Sequence, residues 1–255
     1  MPNLTRGLAE FAAKGCLVKP VLLQWLQDVS IPLDFGLWVE RSGNRAPDQW
    51  FHPSGHPMLT QKQLTDYLLY PQFIEQDPMS YAGAMGTLFG TMTHELVETI
   101  LNKAGLAEPL PPGPCIACGR PRPRPGRRRS AGQCGEHSAV HAETHSKGHL
   151  DAILNLQDGP RGFDLKTRWK GGLKGVRDMD SALFAEKWPG YYWQAQEYMR
   201  ITGLRRYIVL FLEMGMPWDM REFHLDFDPG VALEIECKYR AALAEARSHG
   251  LELVA

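Results

Sequence analysis

Two apolar-rich segments, Gly148-His149-Leu150-Asp151-Ala152-Ile153-Leu154 and Gly162-Phe163-Asp164-Leu165-Lys166-Thr167, stand on either side of Gln157-Asp158-Gly159-Pro160. That intervening composition breaks strands and makes turns, so this part of the chain is constrained to a β-hairpin. Successive side chains in a strand alternate faces, which puts Asp164 and Lys166 on one side and Leu165 on the other. Asp151, on the neighbouring strand, reaches the same place. Two carboxylates beside a lysine suit a hard divalent cation, with an amine near its bound water. An Asp-x-Lys taken alone reads more readily as an exposed salt bridge, which contributes little. The rest of the chain reverses that reading.

A length of 255 residues carries one large domain, or one domain with an insert, and ample sequence for a core. With 44% hydrophobic and 22% charged residues, wholesale disorder is excluded. The net charge of −1 gives no global sign of a nucleic-acid partner, so any basic surface has to be local. No apolar run approaches membrane-spanning length. Met1-Pro2-Asn3-Leu4-Thr5-Arg6 lacks the basic-then-apolar layout of a signal peptide, so a cytoplasmic, intracellular protein is expected. Five cysteines, an odd number, argue for metal ligands or buried thiols over a disulfide framework.

Residues 1–30 read as short helices, and Phe35 to Phe51 as a hairpin. Thr60 can cap a helix running to Tyr70, where Pro71 stops it. From Met85 to Ala104 apolar residues recur at helical spacing, and Gly105 suits the end. His94 and Glu98 share one face of that helix. Asp180 to Ile201 reads as a helix whose regular part Pro189-Gly190 delays to Tyr191. Arg206 to Leu212 is a nearly continuous apolar run that fits a central strand. A strand near Met220–Leu225 and a helix from Pro229 to Ser248 follow, with Pro229 in the first turn.

Residues 106–140 differ in character. Pro and Gly are dense in Pro109-Leu110-Pro111-Pro112-Gly113-Pro114 and in Pro121-Arg122-Pro123-Arg124-Pro125-Gly126, against regular structure. Cys115-Ile116-Ala117-Cys118 and Cys134-Gly135-Glu136-His137 form two ligand pairs with two-residue spacers, a pattern for one tetrahedral ion. Cys115, Cys118, Cys134 and His137 are soft ligands that favour Zn²⁺ as a structural ion. His141, His145 and His149 lie close by and compete for the fourth position. An iron–sulfur cluster generally takes four cysteines. Cys16 and Cys237 read as buried small hydrophobes. Arg120, Arg122, Arg124, Arg127, Arg128 and Arg129 lie between the pairs with no acid among them, which suggests a DNA-phosphate-contacting finger rather than a solvated charge run.

With these pieces in order, the chain resembles the PD-(D/E)XK nuclease superfamily, in its RecB-like and λ-exonuclease-like branch. Gly90-Thr91-Met92-Thr93-His94-Glu95-Leu96-Val97-Glu98 looks like the helix whose histidine reaches the metal. Gly148-His149-Leu150-Asp151 looks like the first-aspartate strand, and Asp164-Leu165-Lys166-Thr167 like the Asp/Glu-x-Lys strand. Gln194-Ala195-Gln196-Glu197-Tyr198 looks like the Gln-x-x-x-Tyr helix. The match covers roughly Leu59 to Leu212. Tyr70-Pro71 stands where iron–sulfur-bearing relatives have a cysteine, and no C-terminal cysteine trio exists. The cysteine-bearing insert departs from the common core.

The resemblance implies an α/β, restriction-endonuclease-like core with a mixed central sheet flanked by helices. An accessory region would span 1–58 and the nuclease core 59–255, interrupted by the zinc-stapled insert at 106–140. It implies Mg²⁺ or Mn²⁺ held by His94, Asp151, Asp164 and the Leu165 carbonyl, with Lys166 positioning or activating water. Gln194 and Tyr198 would orient DNA or Lys166, or pack their helix; Glu98 and Glu143 would be outer acids. The function implied is a DNA-end-processing exonuclease in recombination, repair or phage DNA metabolism, acting in the host cytoplasm if phage-encoded. An endonuclease, a DNA-binding protein with a vestigial core, and an adaptor docking a recombination, annealing or helicase partner are the alternatives.

Overall fold

The computed structural model describes residues 15–27, 48–71, 81–123, 132–169, 171–178, 181–214 and 219–252. In chain order the elements are α1 (Val18–Gln27), α2 (Gln61–Leu69), α3 (Tyr81–Lys103), β1 (His137–His141), β2 (Ser146–Leu150), β3 (Ala152–Leu156), β4 (Gly159–Trp169), α4 (Ser181–Lys187), α5 (Pro189–Thr202), β5 (Arg206–Met214), β6 (Met220–Asp226) and α6 (Pro229–Ser248). Strands β3, β4, β5 and β6 form a four-stranded sheet in that order. The β4–β5 pairing is parallel and the outer two are antiparallel, so the sheet is mixed. The fold is α/β, with helices on both faces of this sheet.

Strand β5 shows why residues 206–212 read as an unbroken apolar run. Ile208, Leu210 and Leu212 face one core cluster, with Val18 and Leu22 of α1 and Leu96, Val97, Ile100 and Leu101 of α3. Tyr207, Val209 and Phe211 face the other, with Phe184 of α4 and Ala195, Tyr198 and Met199 of α5. A strand covered on both faces has no solvent side to make polar. A third cluster joins Leu64 and Leu68 of α2 to Ile235, Tyr239 and Leu243 of α6, with Phe51 among them.

Helix ends follow local chemistry. The Thr60 side chain accepts from the Gln63 N–H while the Gln63 side chain accepts from the Thr60 N–H, a reciprocal cap that starts α2. The Asp228 side chain accepts from the N–H groups of Gly230 and Val231, with Pro229 in the first turn of α6. The single helix expected over 180–201 is two, because Pro189 drives Trp188 out of helical geometry (φ −133°, ψ 59°). The start of α1 is closed from far away: the Glu222 carboxylate accepts from the N–H groups of Leu17 (2.7 Å), Val18 (3.1 Å) and Lys19 (2.9 Å). Negative charge at a helix N-terminus is stabilising. The rest of the expected 1–30 helices, and residues 35–47 of the expected hairpin, lie outside the described residues.

The hairpin centred on residues 157–160 is present, with Leu156 opposite Gly159 and a two-residue turn at Gln157-Asp158. Its first arm is not one strand, however. β2 pairs with β1 and β3 pairs with β4, so the chain changes partners at Asp151. Residues 48–56 flank β2 on its other side: Phe51 N–H donates to the His145 carbonyl and Lys147 N–H to the Phe51 carbonyl, both at 2.9 Å. The insert is tied in at both ends. Glu108 N–H donates to the Ile153 carbonyl (2.7 Å) and Asn155 N–H to the Leu106 carbonyl (2.8 Å), along β3, while β1 pairs with β2. No helix among the described residues is long and apolar enough to cross a membrane.

Candidate active site

The change of strand partners exposes the chemistry. Beyond the end of β3, the Leu165 N–H on β4 has no strand partner on that side, and Asp151 supplies one: its Oδ2 accepts that N–H at 2.7 Å. Asp164 and Lys166, flanking Leu165, share a face and are ion-paired through Asp164 Oδ2 and Lys166 Nζ. On α3, His94 Nδ1 sits 3.2 Å from Asp151 Oδ2. Elements distant in the chain thus converge at one corner of the sheet. The helix approaches closely there, since a Cβ on Gly90 would lie 3.2 Å from the Thr167 hydroxyl oxygen.

The electrostatics are those of a tightly coupled cluster. Burial alone would lower the His94 imidazole, but the charge and hydrogen bond of Asp151, with Glu98 and Asp164 behind it, raise it to about 9. Burial works against ionised Asp151, yet His94, Lys166 and the Leu165 N–H hold its carboxyl below the usual range. Asp164 goes the other way: burial and the neighbouring Asp151 charge push it up despite Lys166. Lys166 is likewise raised, the two carboxylates outweighing burial.

One set of potential ligand atoms, from His94, Glu98 and Asp151, lies within 4.8 Å of one another. Two carboxylates and one imidazole fit Mg²⁺ or Mn²⁺, with the nitrogen favouring Mn²⁺ more than an all-oxygen site would. The sequence expectation placed Asp164 in this set and Glu98 outside it. The structure places Glu98 in the set, because it follows His94 by one helical turn, and places Asp164 against Lys166. Glu143, the other expected outer acid, is instead exposed and bonded to Arg240 at 2.8 Å.

Gln194 and Tyr198 are both buried on α5. The Tyr198 hydroxyl donates to the His149 carbonyl at 2.6 Å, and its ring stacks on Tyr207. The Tyr198 hydroxyl thus ties α5 to β2. Their neighbours do similar work: Gln196 bonds the Asp226 carbonyl and the Asp228 N–H, at 3.0 and 2.8 Å. Arg200 grips Glu197 through two bonds (2.7 and 3.0 Å) and reaches the Thr144 hydroxyl (2.8 Å) beside the start of β2.

A second ligand set lies in the insert. Cys115, Cys118 and Cys134 converge with His149, all four ligand atoms within 4.8 Å of one another. His137, the expected fourth ligand, is turned away: its Nε2 lies 3.1 Å from the Glu108 carbonyl. The reason is register. His137 heads β1, and its partner across the pair is Leu150, whereas His149 pairs with Ser138. Cys16 is buried as expected; Cys237 is exposed. Of the six arginines, Arg120 is exposed, and Arg122 turns inward onto the Glu136 carbonyl and the Ser138 hydroxyl. Arg124, Arg127, Arg128 and Arg129 lie outside the described residues.

No protein-family model matches the chain, and no curated protein matches it. Among solved structures, an alkaline exonuclease from Laribacter hongkongensis, LHK-Exo, overlaps at TM-score 0.44 and 15% identity, over 80% of this chain and 91% of that one. Its complex with dAMP gives TM-score 0.43 at the same identity and coverage. A protein named SSO0001 gives 0.43 at 12% identity, over 89% and 84% of the two chains. All three are distant likenesses.

Proposed function

We propose that the chain is a divalent-metal-dependent deoxyribonuclease, acting as a DNA-end-processing exonuclease in recombination, repair or phage DNA metabolism. One observation carries the reading: Asp151 Oδ2 bonded to the backbone N–H between Asp164 and Lys166, with His94 against that same oxygen. A structural salt bridge needs none of this convergence of α3, β4 and the β2–β3 break.

His94, Glu98 and Asp151 would hold Mg²⁺ or Mn²⁺, with Asp164 and the Leu165 carbonyl beside them. Once bound, the ion would offset charge on the scissile phosphate and lower the pKa of a coordinated water. The Lys166 ammonium, held cationic by Asp164 and Asp151, would donate to the attacking water or a phosphate oxygen and fix its direction. Lys166 and Arg168 lie over the Tyr191 ring at 5.0 and 5.3 Å, and the large Trp169 side chain ends β4 exposed. Cations interleaved with aromatic faces suit a nucleic-acid strand. The arginines of the insert would add phosphate contacts. Zn²⁺ in the cysteine set would be structural.

A time course on end-labelled linear DNA, with and without divalent cation, tests the reading. Cleavage should require Mg²⁺ or Mn²⁺. Lys166→Ala should cut on the order of 10²–10⁴ times more slowly while still binding DNA. Asp151→Asn and Asp164→Asn should lose metal-dependent cutting. A Lys166→Ala protein as fast as wild type refutes the assignment, and prompt cutting of covalently closed circles moves it to an endonuclease.

A further inference from the structure

The cysteine set and the corner holding Asp151 share one short strand. His149 is the only member of the set that does not come from the insert, and it precedes Asp151 by two residues on β2. Its Nε2 lies 3.2 Å from Cys115 Sγ, while its carbonyl accepts the Tyr198 hydroxyl. The side chain and backbone of one residue are thus engaged from opposite directions, immediately before the strand break that presents Asp151.

The insert itself is shaped for an ion. Cys115 and Cys118 sit on a tight turn: Gly119 N–H donates to the Cys115 carbonyl (2.7 Å) and Cys115 N–H to the Arg120 carbonyl (2.8 Å). Gly119 takes φ 71°, a conformation that strains other residues. Cys134 is brought opposite by its N–H on the Pro121 carbonyl at 2.9 Å. Tetrahedral ligation at about 2.3 Å for sulfur and 2.0–2.1 Å for nitrogen puts ligand atoms roughly 3.5 Å apart, within the observed spread. All three thiols are free rather than disulfide-bonded. The apolar cluster around them is Cys115, Ala117 and Cys134 with Val140 alongside, too few groups to fix a fold by burial.

We propose that Cys115, Cys118, Cys134 and His149 bind one Zn²⁺ ion that clasps the insert to β2 and thereby sets the position of Asp151, so that the divalent site at His94, Glu98 and Asp151 forms fully only when the clasp is loaded. The coupling rests on the nuclease reading only for its consequence in DNA cleavage; it is testable as metal binding alone. Loss of Zn²⁺ leaves β2 held by β1, Phe51 and Tyr198, and removes the tether at the residue nearest the break. Thiol-blocking reagents would then weaken the second site without touching it.

The test uses the full chain. Metal analysis of the purified protein should give one zinc per chain. Replacement by Co²⁺ should give the visible bands of tetrahedral thiolate cobalt, retained in His137→Ala and altered in His149→Ala. Mn²⁺ binding, followed by electron paramagnetic resonance with no DNA present, should weaken about tenfold or more in His149→Ala and in zinc-stripped wild type. His149→Cys, which restores four ligands, should recover it and guards against a His149→Ala protein that merely misfolds. Absence of zinc, a cobalt spectrum that depends on His137 rather than His149, or Mn²⁺ affinity indifferent to zinc overturns the proposal. A protein that shows the coupling but cuts no DNA overturns the proposed function and leaves the clasp standing.

Discussion

Tyr198→Phe removes one oxygen and keeps the ring, so it isolates the hydrogen bond that braces β2. The hydroxyl is buried and donates to the His149 carbonyl at 2.6 Å. Its loss leaves a buried carbonyl acceptor with one partner fewer, while the stacking on Tyr207 survives. A hydrogen bond between neutral groups contributes about 0.5–1.5 kcal/mol, and a buried group left unsatisfied costs about 1–3 kcal/mol. The variant should therefore lose about 1–3 kcal/mol. For a domain of this size that lowers Tm by roughly 2 to 12 °C. Urea denaturation and calorimetry measure the loss. If the hydroxyl braces the catalytic strand, kcat on linear DNA should fall about tenfold with KM for DNA little changed, because Asp151 is displaced and no DNA contact is removed. A stability within 0.3 kcal/mol of wild type would refute the bracing role, and an increase in KM alone would make Tyr198 a DNA contact.

Gly162→Ala should be strongly destabilising, by about 1–3 kcal/mol from overpacking, because its new Cβ would lie 2.3 Å from the Tyr207 ring; thermal denaturation checks it. Stability should fall with acid through His56. Burial lowers its imidazole to about 4 from 6.5, and its Nδ1 accepts the His52 N–H at 2.6 Å, so the fold favours the neutral form. The unfolded chain then binds more protons between pH 6.5 and 4; stability from this group is complete above the upper value and is lost as pH falls through that window, by at most about 3 kcal/mol. Denaturation midpoints measured from pH 7 to 4 should show a steeper acid loss in wild type than in His56→Gln. Glu222→Gln should cost about 2–4 kcal/mol, since it replaces an ionised acceptor for three helix N–H groups with a half-donor amide, and hydrogen exchange should show α1 opening first.

Much of the frame is legible in local chemistry. The Thr60 cap, the turn before Pro160, the Asp164–Lys166 alternation and the two-sided burial of β5 depend on neighbours in sequence or on a strand's period. The partner change at Asp151 is not legible, because an apolar-rich stretch from 148 to 154 looks the same whether it serves one sheet or two. The choice of His149 over His137 depends on the β1–β2 register, which no spacing rule contains. The i,i+4 relation of His94 and Glu98 was the available signal for Glu98, and only the approach of α3 to Asp151 gives it meaning. The inward turn of Gln194 and Tyr198 is hidden because one helical face looks alike whether it meets a ligand or a strand.

The Glu222 closure of α1 has a consequence for synthesis. A ten-residue helix is marginal alone, and the group that completes its first turn leaves the ribosome about two hundred residues later. Helix α1 has to wait for a strand made about two hundred residues after it. A nascent chain stalled or truncated before β6 would carry that helix uncapped, with Val18 and Leu22 still lacking Met220 in their shared core.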